Sequence, residues 1–217
     1  MLDVAGGRVV SAGGGLRDAY PPLSLSGGEG RPEAIARRLL QEPDVDGLYV
    51  ADLDALAGRP PQSCVAVVAA LTDLVWVDGG YRTIAALAGA EGSPVIASEC
   101  WPDPASLMDA LVRRPEAVFS LDLRGGRLVA SAAWPADPLA AAALAVNAGV
   151  RTLLVLDVLS VGGGECGTLP LCGQLAAMHP HVVVATGGGL RSDTPTPGVG
   201  VRLLGGELHR RIGLVRD

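Results

Sequence analysis

A chain of 217 residues with a formal charge of −6 and no basic block excludes nucleic acid as the main partner, and its 49% hydrophobic residues supply one sizeable core. Aromatics are only 3%, so that core must be built from Ala, Val and Leu; thirty Gly and sixteen Pro, set between apolar runs, mean tight connections rather than disorder. The four Cys form no CxxC pair and read as free thiols, no basic-then-apolar leader is visible, and every apolar stretch is broken well short of a membrane span, so a cytoplasmic protein without a membrane partner is expected.

Leu2 to Val10 reads as a strand, a Gly6-Gly7 turn and a second strand. Ser11 to Gly30 is Gly-rich and polar, a long loop of the kind that carries function in compact domains. Arg31 to Gln41 is a helix, with Pro32 in its first turn and Ile35, Leu39 and Leu40 at helical spacing. Strands are then predicted at Gly47–Asp52, Leu74–Val77, Pro94–Ala97, Ala117–Leu123, Thr152–Val158, Val182–Ala185 and Gly198–Leu204. Helices are predicted between them at Ser63–Leu71, Tyr81–Ala90, Pro104–Val112, Pro138–Ala148 and Leu169–Met178, and a short basic helix with His209 comes last. The strands are near-continuous apolar runs, as in a buried parallel sheet. Eight such units predict an α/β fold, a compact (β/α)8 TIM barrel in a single domain over residues 1–217, with an open doubly wound sheet as the alternative.

An internal repeat favours the barrel. Leu2-Asp3-Val4-Ala5-Gly6-Gly7-Arg8 matches Leu121-Asp122-Leu123-Arg124-Gly125-Gly126-Arg127. Asp52 after Leu-Tyr-Val-Ala matches Asp157 after Leu-Leu-Val-Leu, and Gly79-Gly80-Tyr81-Arg82-Thr83 matches Gly188-Gly189-Leu190-Arg191-Ser192. The matches keep their order at nearly constant offset, which divides the chain into half-barrels of about 1–116 and 117–217.

Working residues of such barrels sit at the carboxyl ends of strands. That places Asp3, Asp52, Asp54, Asp78, Glu99, Asp122 and Asp157 at one rim. Any one of them alone is as well explained as a loop or cap carboxylate. The symmetric pair Asp3 and Asp122 fits acid–base chemistry better, one ionised as base and the other held protonated as acid. Asp78-Gly79-Gly80 and Gly187-Gly188-Gly189 each end a strand and are expected to open a helix, whose free N–H groups suit phosphate; Arg82 and Arg191 stand at equivalent places. The expected partner is a phosphorylated small molecule. His179 and His181 precede a strand, on the face of a barrel that serves stability, so no metal site is expected there.

The strings Leu-Asp-Leu-Arg-Gly-Gly-Arg, Tyr-Val-Ala-Asp-Leu-Asp-Ala and Trp-Val-Asp-Gly-Gly-Tyr-Arg resemble the histidine-biosynthesis barrel family, which contains ProFAR isomerase and the cyclase subunit of imidazole-glycerol-phosphate synthase. The similarity runs over nearly the whole chain. It is nearest to the isomerase-like branch of archaea and of bacteria with tetrahydromethanopterin-linked one-carbon genes. The resemblance implies an Amadori-type aldose–ketose isomerisation of a substrate with two phosphates, with Asp3 and Asp122 as the acid–base pair and no metal or organic cofactor. It implies phosphate grips at Gly79 and Gly80 and at Gly188 and Gly189, with Asp52, Asp78, Arg82, Asp157 and Gly187 beside the substrate. This chain departs from the family at Leu156, where the isomerase has Thr, and in its longer Leu159 to Cys166 loop. It also places acids near both grips, at Glu99 and Glu207. A different substrate, with one phosphate or a cationic group, is therefore expected as well. The rival readings are a repurposed step of tetrahydromethanopterin or one-carbon cofactor biosynthesis, and a barrel that binds a phosphate ligand without turnover.

Overall fold

Period-two alternation sorts the strands of this chain into an inner and an outer row. Phe119, Leu121 and Leu123 face outward and pack with helix residues such as Leu107, Ala141 and Leu175, while Val118 joins an inner cluster with Tyr49, Ala97, Leu154 and Ala185. The computed structural model describes residues 1–14, 16–25, 30–163 and 166–216. Gly15 and residues 26–29 of the predicted long loop, and residues 164–165 of the predicted Leu159 to Cys166 loop, lie outside the described residues.

The strands are β1 (Leu2–Ala5), β2 (Arg8–Val10), β3 (Leu23–Leu25), β4 (Leu48–Asp52), β5 (Val75–Asp78), β6 (Ser93–Ala97), β7 (Val118–Arg124), β8 (Arg127–Leu128), β9 (Thr152–Asp157), β10 (Val183–Gly187), β11 (Val201–Leu203) and β12 (Leu214–Arg216). The helices are α1 (Pro32–Leu39), α2 (Leu53–Leu56), α3 (Ser63–Ala69), α4 (Ile84–Ala88), α5 (Leu107–Arg113), α6 (Pro138–Asn147), α7 (Leu169–Met178) and α8 (Gly206–Arg211). Strands β1, β4, β5, β6, β7, β9, β10 and β11 are parallel neighbours in chain order. The two ends of this curled sheet meet where the Met1 amino group donates to the Leu204 carbonyl at 2.7 Å and His209 donates from Nε2 to the Met1 carbonyl at 2.8 Å. The fold is the mixed α/β barrel expected of the sequence. Among the described residues no helix is long and apolar enough to cross a membrane.

The duplication is visible in backbone geometry. β1–β2 and β7–β8 are antiparallel hairpins turning on two glycines each. Their φ angles are 55° and 75° at Gly6 and Gly7, and 60° and 76° at Gly125 and Gly126. Two successive left-handed residues are what a type I′ hairpin turn requires. The registers also match: Asp3 lies opposite Ala51 and Val4 opposite Asp52, as Asp122 lies opposite Leu156 and Leu123 opposite Asp157.

Two expectations need correcting. No helix follows Gly187-Gly188-Gly189; residues 188–200 run as turns and irregular chain into β11. Pro195 and Pro197 lack the N–H that a helix interior needs, and Gly198 (φ 76°) bends the chain into the next strand. The long first loop is not free-standing either. Its β3 segment pairs antiparallel with β12, which clasps it.

Candidate active site

Alternation also decides which acids reach the barrel interior. Leu2 and Val4 belong to an outer cluster, so Asp3 between them faces inward. Val75 and Val77 do the same for Asp78, and Leu121 and Leu123 for Asp122. All three carboxyls are buried at the carboxyl-terminal mouth.

Asp122 is the most thoroughly held. Ser120, two residues earlier on the same inward row, donates from Oγ to Oδ1 at 2.7 Å. The Glu99 N–H donates to Oδ2 at 3.3 Å, and Ser98 Oγ lies 3.2 Å from the same oxygen. Ser98 Oγ accepts from the Asp122 N–H at 2.9 Å and donates to the Val129 carbonyl at 2.9 Å. A serine that gives its one proton to Val129 is left as an acceptor toward Oδ2, which suits a protonated Asp122. Burial, then the charges of Glu99 and Asp78, push its carboxyl up to about 8. Asp78 accepts from the Tyr49 hydroxyl at 3.0 Å and, more weakly, from the Gly80 N–H at 3.4 Å. Burial, reinforced by Glu99, raises it to about 7. Burial raises Asp3 to about 6, opposed by the nearby amino terminus and Arg17.

Arg17 comes from the long first loop, on a short turn of 3-10 helix, and reaches across to Glu99 in a two-pronged ion pair of 3.1 and 2.6 Å. The same loop touches the loop after β9: the Gly14 N–H donates to the Val161 carbonyl at 3.3 Å. Gly162 (φ 75°) lies so close to Ala12 that a Cβ would strike its carbonyl oxygen. The two loops thus form a strap at the mouth. Glu99, expected to repel a phosphate, is instead the strap's anchor.

The other expected site residues lie apart from these acids. Asp52 accepts from the N–H groups of Asp54, Ala55 and Gln62 at 3.1, 3.0 and 2.6 Å. Asp157 accepts from those of Gly125, Gly126 and Leu159 at 3.1, 2.7 and 3.0 Å. Asp54 performs the matching task in the first half, accepting from the Gly6 N–H at 2.8 Å and from Arg59 Nε at 2.7 Å. Each hairpin turn is therefore held by a carboxylate of the neighbouring unit, Asp157 at the end of β9 and Asp54 in α2, just after β4. Arg82 donates to the carbonyls of Ala55, Leu56 and Gly80, and the Tyr81 ring covers Gly79. The Gly79-Gly80 turn lines a cleft of about 660 Å³ between α3 and α4, with Arg59, Arg82 and Thr83, and none of Asp3, Asp78 or Asp122 borders it.

At the second expected grip, Gly188 and Gly189 keep left-handed φ angles of 80° and 74°, and Gly187 packs against Leu203 and Leu156. Two residues beyond them have acceptors within the chain. Glu207 accepts from the Ser192 N–H at 2.8 Å and from its hydroxyl at 2.6 Å, and Arg191 pairs with Asp193 at 3.2 Å. His209, bound to Met1, is lowered to about 4 by burial and by the adjacent amino terminus. All four Cys are free thiols, and among the described residues no three His, Cys, Asp or Glu side chains are grouped to hold a metal ion.

The sequence reading missed Arg17, Tyr49, Ser98 and Ser120. Ser120 was available, because strand alternation puts it on the face of Asp122. Arg17 carried no signal, since its role depends on how a Gly-rich loop lies across the mouth.

Three buried acids with raised pKa make stability depend on pH in a definite direction. The folded chain holds protons that the unfolded chain, with ordinary carboxyls near 3.8, has already released. Their stabilising contribution is full below about pH 4 and is lost as pH rises through about 6 to 8. Asp78→Asn should remove part of this slope, raising stability at pH 8.5 by up to ~4 kcal/mol and changing it little at pH 4.5. Urea unfolding at the two pH values measures it, and an unchanged slope would contradict the burial argument.

A family model described as histidine biosynthesis protein matches residues 1–194 of the chain. No curated protein matches it.

Proposed function

The chain belongs to the histidine biosynthesis protein family, and from that premise we propose that it is an enzyme converting a phosphorylated aldose or aminoaldose into the corresponding ketose. The observation that carries this reading is the pair Asp3 and Asp122, buried at equivalent register positions of the two halves, with Asp122 held by Ser120 and the Glu99 N–H and Asp3 left without a hydrogen-bond donor among the described residues. At pH 7 a group near 6 is mostly ionised and a group near 8 mostly protonated. Asp122 then serves as the acid and Asp3 as the base. Asp122 protonates the ring oxygen of an aminoaldose as the nitrogen lone pair expels it, so the C1–O bond breaks and a protonated imine forms at C1. Asp3 removes the C2 proton; the C2–H electrons form the C1–C2 double bond and the C1–N pair moves onto nitrogen, giving an enaminol. Asp3 returns its proton to C1 while the C2 hydroxyl gives its proton back to Asp122, which leaves the ketone at C2. Proton transfers and the electron shifts they trigger complete the reaction, so the sequence of steps calls for no metal or organic cofactor.

A second reading, a repurposed step of tetrahydromethanopterin or one-carbon cofactor biosynthesis, is favoured by the Glu207–Ser192 contact. A carboxylate of the chain itself is tied to the segment that follows this turn, where it would repel a second phosphate. We therefore favour a substrate with a single phosphate or none over a bisphosphate.

The test is the pH profile of kcat/KM on a panel of aldose and aminoaldose phosphates, followed by ketose formation. A bell is expected, rising through about 6 and falling through about 8. A flat profile, or no ketose from any of the panel, would overturn the assignment. Growth of a histidine auxotroph lacking ProFAR isomerase separates the two substrates. Rescue supports the histidine intermediate, and failure alongside ketose formation in vitro supports the repurposed step.

A further inference from the structure

We propose that the mouth is built to take a protonated amine, the ammonium group of a basic aminosugar or amino-polyol, seated among Asp3, Asp78 and Asp122. The inference deepens the isomerase reading by naming a substrate class, but the binding it describes stands whether or not turnover follows.

The duplication accounts for Asp3 and Asp122 and leaves other acids unexplained. Register makes Asp78 equivalent to Gly187, since Ala51 lies opposite the first and Leu156 opposite the second. Two residues earlier on the neighbouring strands, Tyr49 is equivalent to Leu154 in the same way. The first half thus carries a buried tyrosine–carboxylate pair where the second half has a leucine and a glycine. Glu99 adds a further carboxylate on the same side.

These groups are arranged rather than merely crowded. Tyr49 fixes one oxygen of Asp78 at 3.0 Å, and the other has only the long contact to the Gly80 N–H. Asp122 is fixed by Ser120. Asp3 is the telling member. It is 8% exposed and points inward, yet among the described residues no group donates a hydrogen bond to its carboxyl; only the charges of the amino terminus and Arg17 act on it. The chain leaves that carboxyl without a donor, and a ligand entering the mouth can supply one.

Charge selects the ligand. Among the described residues the guanidinium that acts on Asp3 is that of Arg17, and its two terminal nitrogens are committed to Glu99. An anion placed here would meet Asp3, Asp78 and Asp122. An ammonium offers three donors to these oxygens and displaces the proton that Asp78 would otherwise hold, while Asp122 keeps its own. The groups facing it are the Met1 amino group before β1, Asp3 from β1, Tyr49 from β4, Asp78 from β5, Glu99 after β6, Asp122 from β7 and Arg17 from the strap.

The experiment is titration calorimetry of the full chain with 1-amino-1-deoxyglucitol, its uncharged counterpart glucitol, and glucitol 6-phosphate, each in two buffers of different ionisation enthalpy. The amine should bind at least ~tenfold more tightly than glucitol at pH 7, release protons, and bind more tightly at pH 8 than at pH 6. Asp78→Asn, checked for folding by its melting curve, should lose most of that preference. Proton release on the unaltered chain tests the idea without any variant. Equal affinity for amine and glucitol, preference for the phosphate, or amine binding without proton release would overturn it. Amine binding without isomerisation of any aldose would sink only the isomerase reading. Turnover of a phosphorylated aldose by a chain that does not bind the amine would sink only this inference.

Discussion

Asp122→Asn is expected to lower kcat by about 10²–10⁴-fold, and Asp3→Asn by a similar factor, with the double variant little worse than either. The amide keeps the shape of the carboxyl and an acceptor for Ser120, so the mouth should stay intact. What it loses is the proton that Asp122 would hold near neutrality and the negative charge that Asp3 would present. The two variants should also differ in kind. Asp3→Asn removes the rising limb of the profile near pH 6, and Asp122→Asn removes the falling limb near pH 8. Steady-state rates across pH, with melting curves to confirm folding, distinguish this from general damage. Should either variant retain both limbs and the parent rate, the acid–base assignment is wrong.

The second large effect falls on stability. Asp157→Ala is expected to cost roughly 3 kcal/mol, because it strips three backbone N–H groups of their shared acceptor at the Gly125-Gly126 turn and the start of the next loop. For a chain of this size that corresponds to a melting temperature lower by roughly 6–12 °C. Asp54→Ala in the other half should cost less, since it frees one turn N–H and the exposed end of Arg59. Differential scanning calorimetry of both variants ranks them. An Asp157→Ala chain as stable as the parent but unable to bind substrate would return this residue to the ligand site.

How much of this could be read from the letters depends on the distance over which each contact acts. The barrel was legible because strand alternation and the twin Leu-Asp-x-x-Gly-Gly strings are local patterns that repeat. Asp3 and Asp122 were legible for the same reason: symmetry singles them out. Asp52 and Asp157 sit at strand ends as expected, but a strand-end carboxylate also serves as acceptor for the turn beside it, and sequence does not tell the two tasks apart. Gly187-Gly188-Gly189 suggested a helix start by analogy with Gly79-Gly80, yet the prolines at 195 and 197 outweighed the analogy. Glu99 suggested repulsion because its partner, Arg17, lies in a loop whose path is set by contacts remote in sequence. Tyr49 was read only as part of an apolar strand, and its hydroxyl acquires a role only when β5 is laid beside β4.

The clasp between β3 and β12 has a consequence for the order of folding. Arg17 belongs to the loop that leads into β3, and β3 is moored by Leu214–Arg216, far from it in sequence. Closing so long a loop costs chain entropy before the pairing returns any, so this contact is expected to form after the local hairpins β1–β2 and β7–β8. The strap across the mouth is thus among the parts expected to settle late as the chain folds.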